Sequence, residues 1–272
     1  MQIIRFLDPS DQVHYGQVVD PGRAEVLTGD LFDGLRPSGE YLSISRLLAP
    51  LNPVNIFCIG LNYRAHAEET GAEIPQQPVI FMKPTTALAH PGQPILLPAS
   101  CRQAPEVDYE AELAVIIGKT TRNIPPQAAL GQVLGYCCGN DVSARRWQKH
   151  GGGGQWVRGK SFDRFCPLGP HLVSADELPD PQGLDIHCRL NGEVMQAGNT
   201  ADMIFPVAEL ISRLSRDTTL LPGTVILTGT PPGVGFARRP PVFLAAGDRV
   251  EVSIEGIGSL ENPVAEAPVP SD

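Results

Sequence analysis

The sequence predicts an α+β protein rich in β-structure, with mixed strands coiled into a roll or barrel-like sandwich and few helices. Proline (27) and glycine (28) are abundant in the 272 residues, and both interrupt helices, so long helices are not expected. Short apolar or alternating segments bounded by turn residues recur along the chain, which is typical of strands. Residues 206–214 form the best amphipathic helix, with Val207, Leu210, Ile211 and Leu214 at helical spacing.

We expect a small β-rich N-terminal module over residues 1–53 and a larger domain over residues 54–266. Residues 1–6 resemble a first strand, and residues 12–19 alternate in polarity. Pro50 and Pro53 mark the boundary. The last residues, 267–272, are expected to be a frayed tail.

Further elements of the larger domain follow in chain order. We predict a short helix with a mobile loop within residues 63–77 and a helix opening at residues 125–131. Residues 184–196 read as a hairpin, because Asn191-Gly192 suits a type I′ turn. The predicted strands are residues 54–59, 79–82, 107–118, 132–138, 224–227 and 249–254.

The composition excludes several classes of partner. A net charge of −9 with a pI near 5.2 argues against nucleic acid or an anionic membrane. No stretch approaches the roughly 18–20 apolar residues that cross a bilayer, and the N-terminus lacks the features of a secretory signal. The six cysteines have no CxxC spacing, so neither zinc nor a disulfide framework is indicated. A reduced, cytoplasmic location is expected.

The most informative segment is residues 107–118, which begin acidic and end apolar. Alternate side chains share one face of a strand, so Glu110 and Glu112 point the same way, with Asp108 before them. Ala114 and Ile116 continue that face into a core. Neighbouring carboxylates repel and resist desolvation, and a hard divalent cation would offset both costs. A solvated, acidic start to the strand is the alternative.

Two catalytic patterns fail on their context. Residues 154–161 match the phosphate-binding pattern GxxxxGK[ST], but no apolar strand precedes them and Pro167 and Pro170 follow, so no long helix can begin there. The segment after Gly159 lacks the closing glycine of a GxSxG nucleophile elbow. HExxH, the zinc-protease pattern, does not occur.

Six motifs in order resemble the fumarylacetoacetate hydrolase family, and the resemblance covers residues 54–264. They are Gly-Leu-Asn-Tyr at 60–63, Phe-Met-Lys-Pro at 81–84, Asp-Tyr-Glu-Ala-Glu-Leu at 108–113, Asn-Asp-Val-Ser-Ala-Arg at 140–145, Gly-Lys-Ser-Phe-Asp at 159–163 and Thr-Gly-Thr-Pro-Pro-Gly-Val-Gly at 228–235. Residues 240–264 also look like the branch with bacterial and mitochondrial members, the acylpyruvase-like branch. The resemblance implies the family's β-roll fold and a homodimer.

The resemblance implies a divalent metal, Mg²⁺ or Mn²⁺, held by Glu110, Glu112 and Asp141. Three carboxylates with open positions for water or substrate suit Mg²⁺, which seldom sits in an all-protein cage. For Asp141 the alternative is a helix N-cap, because residues 142–148 have a pattern compatible with a helix.

Substrates of the family carry a 2-oxoacid head, and the resemblance places Lys160 and Gln148 beside it. The amine of Lys160 would stabilise an enolate or a carboxylate, and Gly159 before it indicates close backbone approach. Arg145, Lys83 and Thr230 are weaker candidates for contact with the substrate carboxylate. Arg145 has the alternative of pairing with a structural acid, and Thr230 that of serving the tight turn.

His66 and Glu69 are the catalytic candidates. Their i, i+3 spacing places both on one face of a helix, and a carboxylate beside an imidazole fixes its tautomer and raises its basicity. Family hydrolases and decarboxylases carry this His-x-x-Glu on a lid. An exposed helix turn with an incidental ion pair is the alternative, and Glu68 is a second acid able to pair with His66.

Together these features predict an enzyme that hydrolyses a C–C bond in acylpyruvate-like β-diketo acids through a metal-bound enolate. The same residues allow a second prediction: decarboxylation or tautomerisation of oxaloacetate, or isomerisation of a ring-cleavage diacid. A ureidoglycolate lyase-like enzyme or a non-catalytic binder of 2-oxoacids is the third. The sequence does not identify the 2-oxoacid.

Overall fold

The computed structural model describes residues 1–268, so residues 269–272 of the predicted tail lie outside the described part. The N-terminal part is made of antiparallel strands joined by short turns. These strands are β1 (Gln2–Leu7), β2 (Val13–Asp20), β3 (Arg23–Asp30), β4 (Gly34–Ser43) and β5 (Arg46–Leu48).

The rest of the described chain is also dominated by strands. They are β6 (Asn55–Gly60), β7 (Val79–Lys83), β8 (Leu88–Ala89), β9 (Ile95–Leu97), β10 (Val107–Asp108), β11 (Ala111–Ile117), β12 (Val133–Asn140), β13 (Ser143–Ala144), β14 (Cys166–Ser174), β15 (Asp185–Leu190), β16 (Glu193–Asn199), β17 (Thr224–Leu227), β18 (Arg249–Ile254) and β19 (Gly258–Glu266). The α-helices are short: α1 (Arg64–Thr70), α2 (Pro126–Ala129), α3 (Arg145–Lys149), α4 (Val157–Lys160) and α5 (Val207–Leu214). None is long and apolar enough to cross a membrane.

The described strands form three sheets, of twelve, five and two strands (β10 and β13), which confirms the predicted β-rich α+β class. The large sheet runs β4-β3-β2-β1-β14-β12-β11-β17-β6-β7 and therefore joins the N-terminal strands to the rest of the chain. A second sheet runs β16-β15-β18-β19-β9. The predicted hairpin forms within it as β15 and β16, and Asn191 and Gly192 both have positive φ (54° and 86°), as a type I′ turn requires.

Strand β11 is buried on both faces, which explains its continuous apolar sequence. Leu113, Val115 and Ile117 belong to the core shared with the second sheet. Ala114 and Ile116 point the other way, into a core shared with β6, β17 and the N-terminal strands. The site at the beginning of β11 therefore rests on a strand fixed from both sides.

The acidic segment is not one continuous strand. β10 pairs with β13, whereas β11 pairs with β12 and β17. Tyr109 and Glu110, between β10 and β11, belong to neither strand. The prediction that Asp108 continues the face of Glu110 and Glu112 is therefore wrong. Its carboxylate accepts N–H bonds from Gly235 (2.8 Å) and Phe236 (3.0 Å) instead.

Candidate active site

The three predicted metal ligands come from two paired strands. Because Ala111 of β11 is paired with Asn140 of β12, Glu110 and Asp141 lie side by side at the end of this pair. The Asp141 N–H donates to the Glu110 carbonyl (2.9 Å), and the Glu110 N–H donates to the Asn140 side-chain oxygen (3.0 Å). One carboxylate oxygen each from Glu110, Glu112 and Asp141 lies within 4.8 Å of the others.

A buried cation lies against two of these carboxylates. Lys160 Nζ donates to Glu110 Oε2 at 2.7 Å and to Asp141 Oδ2 at 2.8 Å. The helix that carries Lys160 approaches α3 closely at Gly159, where an added Cβ would lie 2.3 Å from the backbone nitrogen of Gln148. The segment that matches a phosphate loop thus supplies a lysine to the carboxylates, and α3 instead of a strand precedes it.

Lys83 does not lie where a substrate contact requires it. Its side chain is fully buried, and its Nζ is 2.6 Å from Asp141 Oδ1. The same amine donates to the backbone carbonyls of Val142, Lys160 and Phe165 at 2.6–3.0 Å. All its donors are therefore used, and we correct the predicted substrate contact to a role in holding Asp141.

Arg145 pairs with Asp108, a structural acid, which agrees with one of the two interpretations given for it above, and it also contacts the predicted metal ligand Glu110. Its guanidinium contacts Asp108 Oδ2 (2.8 Å), Glu110 Oε1 (2.7 Å) and the side-chain oxygen of Gln148 (2.9 Å). Helix α3 begins at Arg145 with Ala144 at its N-cap position. The N-cap interpretation of Asp141 is therefore excluded.

The carboxylates differ in their electrostatic state. Burial opposes ionisation of Glu110, but the charges of Lys160 and Arg145 outweigh it and lower the pKa of Glu110 to about 2. Burial raises the pKa of Glu112 well above its ordinary value, and the nearby charges of Asp141 and Glu110 raise it further. Within residues 1–268, Glu112 forms no ion pair, and the Lys160 charge only partly opposes the rise of its pKa.

This donor set fits a divalent metal. Three buried carboxylates, of which Glu112 has no ion pair within the described residues, provide the hard oxygen ligands that Mg²⁺ and Mn²⁺ prefer. Glu112 Oε2 is oriented by the Gly229 N–H at 2.7 Å, which holds it toward the other two acids. Glu110, Glu112 and Asp141 are the residues that would hold the ion, and its charge would offset the repulsion that Glu112 experiences.

The second predicted pair lies on α1. His66 Nδ1 is 2.9 Å from Glu69 Oε2, so Glu69 and not the exposed Glu68 is the acid that pairs with it. The hydrogen bond assigns the proton of a neutral imidazole to Nδ1 and leaves Nε2 as the basic nitrogen. His66 is buried and lines the same cavity as the carboxylates.

Helix α1 is docked at both ends. Asp202 Oδ2 accepts the N–H of Ala65 (2.9 Å) at its beginning. Glu69 Oε1 accepts the N–H of Gly233 (2.8 Å), and Gly71 ends the helix in the left-handed region. The acid that pairs with His66 therefore also fastens the helix to the loop after β17.

Most of these groups line one cavity of about 280 Å³, whereas Glu69, Lys83 and Asp141 are not part of its wall. The predicted residues in its wall are His66, Glu110, Glu112, Arg145, Gln148, Lys160 and Thr230. The Thr230 hydroxyl donates to the Ala111 carbonyl (2.9 Å) and accepts from Gln196 (2.8 Å), so it is engaged within the protein and braces the start of β11.

Sequence reasoning missed several cavity walls. Phe81, Trp156, Phe236 and Lys149 line the cavity without having been predicted. Lys149 alone carried a signal: it is four residues after Arg145 on a helix, the spacing that places side chains on one face. Phe81 lies on β7, Trp156 precedes α4, and Phe236 lies in a 3-10 turn after β17. Local sequence patterns do not indicate that these three distant elements meet at one cavity.

Fold and site together define a β-rich enzyme with a carboxylate-lined cavity. The family described as fumarylacetoacetate (FAA) hydrolase C-terminal matches residues 55–265, and the chain belongs to this family. A family described as Rv2993c-like, N-terminal, matches residues 1–50.

Named relatives extend this assignment. The chain is 45% identical over 260 residues to the oxaloacetate tautomerase fahd2, mitochondrial, of Xenopus laevis, covering 94% of this chain and 80% of that protein. It is similar to the structure of a 2-hydroxyhepta-2,4-diene-1,7-dioate isomerase from Mycobacterium marinum (TM-score 0.84, 38% identity, 99% of this chain and 100% of that one). It is also similar to a fumarylacetoacetate hydrolase from Exiguobacterium antarcticum (TM-score 0.83, 37% identity, 98% and 100%).

Proposed function

We propose that this enzyme is a divalent-metal-dependent tautomerase that interconverts the keto and enol forms of oxaloacetate or a closely related 2-oxo diacid. One observation carries the proposal: the His66–Glu69 pair and the carboxylates Glu110, Glu112 and Asp141 belong to one site, with His66, Glu110 and Glu112 in the wall of a single cavity. The 45% identity to a protein named oxaloacetate tautomerase supports this choice among the reactions of the family.

Substrate binding follows from the charges in the cavity. A bound Mg²⁺ or Mn²⁺ would supply Lewis acidity toward a 2-oxoacid head. Lys160 and Gln148 lie in the cavity wall beside the carboxylates, where a cation and an amide can orient the substrate carboxylate. Phe81 and Trp156 form an apolar part of the wall, which would limit the access of water to the reacting carbon.

The proton transfer uses the pair on α1. His66 Nε2 takes a proton from C3 of the substrate, and the C–H electron pair becomes the C2=C3 double bond. The C2=O π electrons move onto the 2-oxo oxygen, which takes up the proton that the His66 imidazolium then releases, directly or through water. The net change therefore moves one proton from carbon to oxygen, and His66 returns to its neutral form. Glu69 stabilises the imidazolium that forms, because its carboxylate stays 2.9 Å from Nδ1.

Hydrolysis of an acylpyruvate, the main prediction from the sequence, is the second candidate. The same His66–Glu69 pair is able to take a proton from water in place of carbon. Isomerisation of a ring-cleavage diacid is a further candidate, supported by the similarity to the 2-hydroxyhepta-2,4-diene-1,7-dioate isomerase. A ureidoglycolate lyase-like enzyme or a non-catalytic binder gains no support from the relatives reported above.

The decisive assay starts from the enol form of oxaloacetate. Ketonisation is followed by loss of enol absorbance, with Mg²⁺, with Mn²⁺ and after chelation, while acetylpyruvate is assayed for cleavage in parallel. We expect metal-dependent ketonisation with slower or no cleavage of acetylpyruvate. Efficient cleavage of acetylpyruvate without acceleration of ketonisation would overturn the proposal in favour of the hydrolase.

The remaining properties are proposals of the same kind. We propose Mg²⁺ as the metal in use, with Mn²⁺ as a substitute, since both are hard cations with oxygen ligands. The predicted homodimer and cytoplasmic location stay predictions. Light scattering on purified protein tests the former, and fractionation of the source cells tests the latter.

A further inference from the structure

Three cationic side chains line the cavity, and two of them are engaged with carboxylates. Arg145 is held by Asp108 and Glu110, and Lys160 is held by Glu110 and Asp141. Lys149 is different, because within residues 1–268 it forms no ion pair, although it lines the cavity. A cationic side chain that lines a binding cavity and has no carboxylate partner is a candidate for binding an anionic group of the substrate.

Lys149 and Arg145 both contact the aromatic ring of Phe236. Lys149 Nζ lies 3.9 Å from the centroid of Phe236, and the guanidinium carbon of Arg145 lies 4.4 Å from the same centroid. Arg145 in turn contacts Glu110. Lys149, at the exposed end of α3, therefore lies against the same ring as Arg145, which contacts Glu110 of the carboxylate cluster.

The surroundings of Lys149 oppose its charge. Partial burial lowers the pKa of Lys149, and the Arg145 charge lowers it further. Asp108 acts in the opposite sense, but its carboxylate is already used by Arg145 and by the N–H groups of Gly235 and Phe236. An anion bound beside Lys149 would offset both the cost of partial burial and the repulsion by Arg145.

We infer that Lys149 binds the distal carboxylate of the substrate and selects dicarboxylic over monocarboxylic 2-oxoacids. This inference rests on the proposed function, since it assumes that the 2-oxoacid head lies at Glu110, Glu112 and Asp141. The alternative is an exposed lysine that only packs on Phe236. Distal-carboxylate binding requires the charge, whereas packing requires only the aliphatic part of the side chain.

The test uses Lys149→Met, which keeps the length and removes the charge, and Lys149→Arg, which keeps the charge. Lys119→Met is the matched control, because Lys119 is an exposed lysine that bonds the Gly131 carbonyl outside the cavity. Calorimetry with Mg²⁺ measures binding of oxalate, which has only the head, and of 3,3-difluorooxaloacetate, a diacid that cannot enolise.

We expect Lys149→Met to weaken the diacid about tenfold, equivalent to about 1.4 kcal/mol, with oxalate unchanged within twofold. Lys149→Arg and Lys119→Met should resemble the wild type. Equal affinity of wild type and Lys149→Met for the diacid would overturn the inference, as would equal weakening of both ligands. If the wild type binds the diacid but does not tautomerise oxaloacetate, the proposed function fails while the Lys149 assignment is still decided by the variants.

Discussion

Replacing Glu112 with glutamine should make the metal-free protein more stable while removing its response to metal. Glu112 is 1% exposed, and burial together with the charges of Asp141 and Glu110 raises its pKa. Glutamine keeps an oxygen for the Gly229 N–H that Glu112 accepts, but it carries no charge to desolvate. We expect a gain of about 1–3 kcal/mol at pH 7–8, since a buried charge without a partner costs at least as much as an unsatisfied polar group.

With metal bound, the wild type should become the more stable of the two proteins. A ligand at one hundred times its Kd stabilises a folded protein by about 2.7 kcal/mol, and the wild type should gain this with Mg²⁺ or Mn²⁺. The Glu112→Gln variant should gain little, because it lacks one of three carboxylates. The melting temperatures of the wild type and of Glu112→Gln, each measured with metal and with chelator, test this expectation directly.

The pH dependence gives a second readout. The folded-state pKa of Glu112 is raised, so its ionisation penalty is absent below its ordinary value of 4.5 and grows as the pH rises toward the raised pKa. The advantage of the metal-free Glu112→Gln variant should therefore be small near pH 4 and larger at pH 7–8. Denaturant unfolding across this range measures it.

Glu110→Gln is the matched control with the opposite sign. Lys160 and Arg145 lower the pKa of Glu110 to about 2, so its contribution to stability is present above pH 4.5 and lost toward pH 2. Removing this charge leaves two buried cations under-compensated and should destabilise the metal-free protein by about 3–5 kcal/mol. If both variants destabilise it to the same extent, the reasoning about surplus charge at Glu112 is refuted.

Three further substitutions test other parts of the site. His66→Ala should lower kcat about 100-fold or more with metal affinity in calorimetry unchanged; parallel loss of both would remove the catalytic role of α1. Gly60→Ala would place a Cβ 2.2 Å from the Trp156 ring, so we expect a loss of about 1–3 kcal/mol in the free energy of unfolding and a shifted tryptophan emission. An unperturbed emission spectrum would contradict the close contact. Asp108→Asn should cost about 3–5 kcal/mol in denaturant unfolding because it breaks a buried pair with Arg145; a cost below about 1 kcal/mol would mean that this pair is not structural.

The fold class could be predicted because local hydrophobic patterns in the sequence agree with the secondary structure that forms. Periodicity in residues 206–214 matches α5, and the alternating residues 249–254 match β18. Strand β14 was missed because Pro167 and Pro170 lie within it, and proline within a run argues against a strand. The sequence also could not indicate that β14 pairs with β1 and β12 across the two parts of the chain.

The site could be predicted only as a set of residue types. Motif order identified Glu110, Glu112 and Asp141, and the structure brings their oxygens within 4.8 Å. Which cation faces which acid depends on packing between distant elements, and for this reason the sequence wrongly predicts a substrate contact for Lys83, which is buried against Asp141. The same reason explains Asp108, whose partners Gly235 and Phe236 are more than a hundred residues away.

The central claim is that Glu110, Glu112 and Asp141 hold one divalent cation in the cavity that His66 lines. Anomalous diffraction from crystals grown with Mn²⁺ and oxalate tests it most directly. We predict a single anomalous peak at ligand distances from all three carboxylates, with oxalate completing the coordination. Well-ordered side chains at these positions with no peak among them would contradict the account.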